Sequence, residues 1–177
     1  MIEREYLCET DERQVKGLEQ ELSLNYQVRP AYRNEWEDAM ELTWKTFLQF
    51  ESKDYSKEGV DSFRNFISDQ ILYKMFIMGS YQLFGAYENG KIVGVISLRN
   101  ETHISLLFVE DQYHMRGVGR ALMNYLTEYV SKEEGKEYVT VNSSPYAVGF
   151  YHKLGFHDTG FEETNDGIRY TPMKKML

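Results

Sequence analysis

Residues 107–123 read LFVEDQYHMRGVGRALM, and three kinds of structure meet inside them. THISLLFV (102–109) is strand material, rich in apolar and β-branched residues. EDQYHMRGVG (110–119) is a polar loop. From there Val118, Leu122, Tyr125 or Leu126, and Tyr129 or Val130 repeat at helical spacing until Gly135 stops the helix. Gly117 and Gly119 at this strand–helix junction let backbone N–H groups converge on one point. Orphan donors and the helix dipole favour an anion there. Arg116 and Arg120 add positive charge in a chain whose formal net charge is −8. A GxG alone also serves as an ordinary turn, and two familiar phosphate loops do not fit. A Walker A loop needs GxxxxGK followed by Ser or Thr. A dinucleotide loop needs GxGxxG early in a parallel fold, and the third glycine is absent here.

Downstream, EYVTV (137–141) is a strand, so 102–141 forms a β-α-β unit with parallel strands. The sequence predicts a helix from Pro145 to Leu154, then a closing hairpin of 156–163 and 168–176 around Asn165-Asp166-Gly167. Upstream, YQLFGAYE and KIVGVISL meet at Asn89-Gly90, a hairpin signal, and Asn100-Glu101 turns into the next strand. These three strands make an antiparallel meander. Trp36, Met40, Trp44, Phe47 and Leu48 form the stripe of a helix over 34–50, with Asn34 as cap and Glu37 at the capping-box position. A second helix starts near Ser56 with Val60, Phe63, Phe66 and Ile67. A short third carries Ile71, Leu72, Met75 and Phe76. YQVR (26–29) is a strand ended by Pro30, and 9–22 is a weakly apolar helix or N-terminal arm. The fold class is α/β (α+β): a single domain over 26–177, a mixed, mostly antiparallel central sheet with flanking helices on both faces, and an arm over 1–25.

The composition narrows the classes of function. The length is that of one domain, and 42% hydrophobic residues with 14 Tyr and 10 Phe suffice for a packed core. There is no basic stripe of the kind nucleic-acid binding requires, so no nucleic-acid partner is expected. Cys8 is the only cysteine, which excludes an internal disulfide and four-cysteine zinc sites; no metal is expected. No run of about 18 apolar residues and no signal-peptide pattern occurs. The expectation is a cytoplasmic protein without a membrane partner.

Two blocks carry a family resemblance. LFVEDQYHMRGVGRALM (107–123) and VNSSPYAVGFYHKLGF (141–156), at this separation, resemble the GNAT superfamily of N-acetyltransferases, as do the hairpin LFGAYENGKIVGVISL (83–98) and the final hairpin. The resemblance covers about residues 26–177. It implies a GNAT-like domain with a splayed parallel strand pair and acetyl-CoA (CoA) as donor. The pyrophosphate cradle would fall on His114, Met115, Arg116, Gly117, Val118, Gly119 and Arg120, chiefly through main-chain N–H groups. Leu107 and Val109 would hold the pantetheine arm with their backbone, Asn142 would touch the cofactor, and Tyr151 would be the general acid for the leaving thiolate. His114 stands where the family usually has Gln or Arg, a change that a cradle built chiefly from main-chain donors tolerates.

The reaction so implied is direct attack of a neutral primary amine on the thioester, so some group must take the amine's proton. Glu101, His103 and Glu110 lie near the strand of 102–109, and alternation places His103, Ser105 and Leu107 on one face if no bulge intervenes. A water chain is the alternative to a dedicated base. Trp36, Trp44, Phe47, Glu51, Tyr55 and Tyr146 are possible walls of the acceptor site, and Lys153 reads as a solvated helix lysine, with contact to a cofactor phosphate as the alternative. The acceptor, a small-molecule or protein amine, is open. A non-catalytic acyl-CoA-binding sensor or interaction module is the rival class. A homodimer through the C-terminal strands is expected.

Overall fold

The computed structural model describes residues 26–177. The expected arm at 1–25 lies outside the described residues. In chain order the elements are β1 (Gln27–Pro30), α1 (Trp36–Phe50), α2 (Lys57–Ile67), α3 (Gln70–Ile77), β2 (Tyr81–Glu88), β3 (Lys91–Arg99) and β4 (His103–Val109), followed by α4 (Val118–Lys132), β5 (Tyr138–Ser143), α5 (Val148–Lys153), β6 (His157–Asp158), β7 (Glu163–Asn165) and β8 (Ile168–Met176). One sheet runs in the order β1-β2-β3-β4-β5-β8-β6, with β7 paired to β8. Every pairing is antiparallel except β4 with β5. The predicted α/β architecture, with one parallel pair in a mostly antiparallel sheet, is the one observed.

Each face of the sheet buries its own core. Under α4 and α5 lie Phe84, Ile96, Leu98, Ile104, Leu122, Leu126 and Phe156, all buried. Under α1, α2 and α3 lie Trp36, Phe47, Leu83, Val95, Leu106 and Phe108. Trp36 belongs to this second core, stacked on Phe76 at 5.1 Å, and not to any open wall.

Three local expectations shift. Asn34 does not cap α1: it lies inside a 3-10 turn over Arg33–Glu35 that is capped at Tyr32, and α1 itself starts from Glu35 as its N-cap. The Glu35 carboxylate accepts from the Tyr32 amide at 2.6 Å, from the Arg29 guanidinium at 2.7 and 2.9 Å, and from the Tyr87 hydroxyl at 2.8 Å. A cation on β1 draws the carboxylate, and helical period alone cannot show that. Next, α5 begins at Val148 because 145–147 form a turn, closed by the Ala147 amide on the Ser144 carbonyl at 3.0 Å. Last, the predicted strand 156–163 is broken into β6 and β7. Pro172 of β8 has no N–H to give, so the Thr159 amide bonds its carbonyl at 2.8 Å and the chain loops out until Glu163 pairs with Tyr170.

The irregularity that matters most is in β4. Ser97 pairs with Leu106 and Leu98 with Ile104, which leaves Ser105 as a bulge. The extra residue reverses the alternation. Ile104 packs on the α4 side and Leu106 on the α1 side, although strict alternation would put them together. His103 and Leu107 therefore do not share a face, because the bulge intervenes.

Candidate functional site

The parallel pairing of β4 with β5 is short. It holds His103 to Thr140 and Ile104 to Val141, and beyond those pairs the strands part. A cavity of about 370 Å³ lies in the resulting V. Leu106–Phe108 and Asn142–Ser144 line it from the two strands, Phe47 and Glu51 from the end of α1, Tyr151 from α5, and Asp166 and Tyr170 from the closing hairpin.

The loop after β4 builds a cluster of donors. Met115 and Gly117 both take positive φ, 57° and 85°. Gly117 needs no side-chain accommodation there, whereas Met115 pushes its side chain fully into solvent. The first backbone bond of α4 runs from the Ala121 amide to the Gly117 carbonyl at 2.9 Å. Among the described residues, the amides of 115–120 have no backbone acceptor. Unpaired N–H groups at the start of a four-turn helix favour an anion.

The side chains around this loop take separate roles. Arg120 is exposed and forms no ion pair among the described residues. Arg116 instead leans away, 3.8 Å from Glu88 and over the Tyr113 ring at 5.1 Å. The His114 Nε2–H donates to the Val109 carbonyl at 2.7 Å, and its ring lies 4.6 Å from that of Phe50. His114 thus engages the Val109 carbonyl. Leu107 stands at the open edge where β4 leaves β5.

This arrangement matches a known family. The acetyltransferase (GNAT) domain model fits residues 51–177. The chain belongs to the GNAT acetyltransferase family. In the UPF0157 protein YqkA of Bacillus subtilis, 96 residues are 34% identical, 52% of this chain; they span only 28% of that longer protein. An uncharacterized N-acetyltransferase of Escherichia coli, YafP, is 28% identical over 84% of this chain and 97% of its own. Among solved structures, a GCN5-related N-acetyltransferase of Rhodopseudomonas palustris superposes with a TM-score of 0.74 at 25% identity, over 85% of this chain and 95% of that one. The PaiA N-acetyltransferase of Thermoplasma acidophilum, solved with coenzyme A, shares the fold with a TM-score of 0.69 at 19% identity, over 86% and 99%. No helix among the described residues is long and apolar enough to cross a membrane.

Within this GNAT domain the titratable groups of the cavity are unequal. Burial pushes the Glu51 carboxyl up to about 7; the nearby Ser144 hydroxyl offsets part of the rise, and Asp54 adds to it. Burial, then the charge of Glu51, raises the Tyr151 phenol well above its usual value, so it keeps its proton. The Tyr151 ring is fixed edge-on between Phe150 and Phe156, with centroids 5.5 and 5.1 Å away. Burial, then the charge of Arg99, lowers His103 to about 4, and its Nδ1 lies 2.9 Å from Thr140 Oγ1. A neutral imidazole of that strength is a poor base at neutral pH.

Of the three base candidates, only His103 lines the cavity. Glu101 is exposed and paired with Lys136 at 2.7 Å. Glu110 faces a different surface, held by Lys45 and Lys91. Phe47, Glu51 and Tyr55 line the cavity as expected of acceptor walls; Trp44 and Tyr146 stack on Phe47 and Phe50 and do not. The titration of Glu51 was not legible in sequence. It ends an amphipathic helix beside polar residues, and its burial comes from the segment around Ser144. Arg99 gave no signal at all.

Proposed function

We propose that the protein transfers an acetyl group from acetyl-CoA to a primary amine by direct attack. The observation that carries this reading is one juxtaposition. A row of unpartnered amides over 115–120 sits at the mouth of a strand splay, beside a cavity lined by a carboxyl titrating near 7 and a protonated, buried tyrosine. The amide row and the exposed Arg120 suit the pyrophosphate of CoA, and the free edge of β4 at Leu107 suits its pantetheine arm, with Asn142 across the splay. When bound, acetyl-CoA supplies a thioester, and a C–N bond forms as its C–S bond breaks.

Glu51 accepts the proton that the attacking amine loses. A base titrating near the working pH combines availability with driving force. Tyr151 holds a proton at its hydroxyl for the departing sulfur. Tyr151 is part of the core under α4 and α5, and Glu51 follows α1, whose Phe47 is part of the other core. A homodimer and a cytoplasmic location belong to the same reading; light scattering that gives the 20.9 kDa mass of a monomer speaks against the dimer.

The test is a panel of primary amines incubated with acetyl-CoA, read by thiol release and by the mass of the product. One or more amines should gain a single acetyl group. Tight CoA binding with no transfer to any amine would leave a donor-binding module in place of an enzyme.

A further inference from the structure

The cavity holds two opposite charges that do not meet. Arg99 ends β3, with Tyr81 beside it in one neighbouring strand and His103 in the other, and its side chain lines the cavity. A guanidinium stays charged and carries five N–H donors, so a partly buried one is normally held by a carboxylate or by carbonyls. Arg99 is not. Among the described residues it forms no ion pair, and its Nε is buried without an acceptor.

Its neighbours do not supply one. The Tyr81 hydroxyl donates to Ser97 Oγ at 2.6 Å, and the His103 ring is neutral beside Thr140. Glu51 lines the same cavity, yet burial sets its charge, with Ser144 and Asp54 as the neighbours that act on it and Arg99 not among them. The hydroxyl of the bulge residue Ser105 is buried against the Tyr81 hydroxyl and offers Arg99 no charge. One part of the cavity therefore offers an unmatched cation, and another offers a carboxylate.

We propose that the acceptor is a small primary amine that also carries a carboxylate, bound with that carboxylate on Arg99 and its amine towards Glu51. This rests on the amine-acetylation reading above. A half-buried guanidinium with an unpartnered Nε is open to an anionic substrate group, which would meet it with charge-assisted, bidentate bonds. A polyamine would instead bring further positive charge against Arg99. The side chain of a protein lysine brings no anion to it. The cavity volume of about 370 Å³ suits a small acceptor.

The experiment compares matched acceptors: an α-amino acid, its carboxamide and its decarboxylated amine, each with acetyl-CoA. The free acid should have the highest kcat/KM, by about 10–100-fold, the range of one or two bonds to a charged group. Arg99→Gln should raise KM for the acid by a similar factor, leave kcat within a few-fold and erase the preference, with CoA affinity by calorimetry unchanged. Arg99→Lys keeps the charge and should retain part of the preference, which separates recognition from folding. Calorimetric binding of the three compounds to the CoA-loaded protein reads the same ranking without turnover. Carboxamide and amine used as well as the acid, or a preference that survives Arg99→Gln, overturns the proposal and leaves the acetyltransferase reading standing. No transfer to any amine removes both.

Discussion

At the scale of single residues, the proposed reaction divides the proton work between Glu51 and Tyr151. Glu51→Gln removes the proton acceptor while keeping the shape, so kcat should fall by about 10²–10⁴-fold. The rise of kcat/KM with pH, with its inflection near 7 in the parent, should vanish in the variant. A variant that keeps that inflection would assign it to another group. The same carboxyl also links to stability. Its folded pKa is raised, so its favourable contribution is complete below the ordinary carboxyl range and is lost as pH rises through about 7. The melting temperature of Glu51→Gln should therefore gain on the parent between pH 5 and pH 8. Tyr151→Phe deletes only an O–H from a packed ring. CoA affinity should stay within a few-fold while kcat drops by about 10²–10⁴-fold, and the loss should shrink with a more acidic leaving thiol. Full kcat under chemistry-limited conditions would reject Tyr151 as the acid.

At the scale of elements, the site depends on how α4 and α5 lie against the splay. A Cβ at Gly119 would stand 3.3 Å from the Phe150 ring and 3.8 Å from Val109, and Phe150 is the residue before Tyr151. Gly119→Val should consequently weaken CoA binding and also lower the melting temperature, because α5 must move. Gly149→Ala, on the same short helix, meets nothing within 4 Å and serves as the control, with stability equal or raised by up to about 1 kcal/mol. Calorimetry and thermal melts on both variants check this; unaltered CoA affinity in folded Gly119→Val would free the loop from any tight fit. The elements themselves were legible because each keeps a clean period. The stripe from Val118 to Val130 buries as read, and Asn89-Gly90 turns as read, with φ of 50° and 79°. The bulge at Ser105 was not legible. Period two over 102–109 runs straight through it, and only the register with β3 shows which residue is extra. Glu51 and Arg99 escaped for a similar reason, since burial and partners arise from segments distant in sequence.

At the scale of the whole molecule, the sheet is two pieces joined by a short seam. β1 to β4 form one antiparallel block, and β5, β8, β6 and β7 form another. Between them the ladder records two residue pairs, with the α4-side core closing over the join. Strand edges that part this way leave main-chain groups free on both sides, and a ligand lying in the V can satisfy them and tie the blocks together. CoA binding should then stabilise the entire domain and not the loop alone. At a hundredfold excess over Kd, mass action gives about 2.7 kcal/mol, which for a domain of this size raises Tm by roughly 5–11 °C. Hydrogen exchange locates the effect. Amides of 115–120 should gain protection as direct partners of the phosphates, and amides of 105–109 and 142–144 should gain it because the seam opens less often. Protection confined to 115–120, with the two strand ends unchanged, would mean that the ligand docks on the loop without bridging the blocks. It would also remove the pantetheine position expected at Leu107 and Val109.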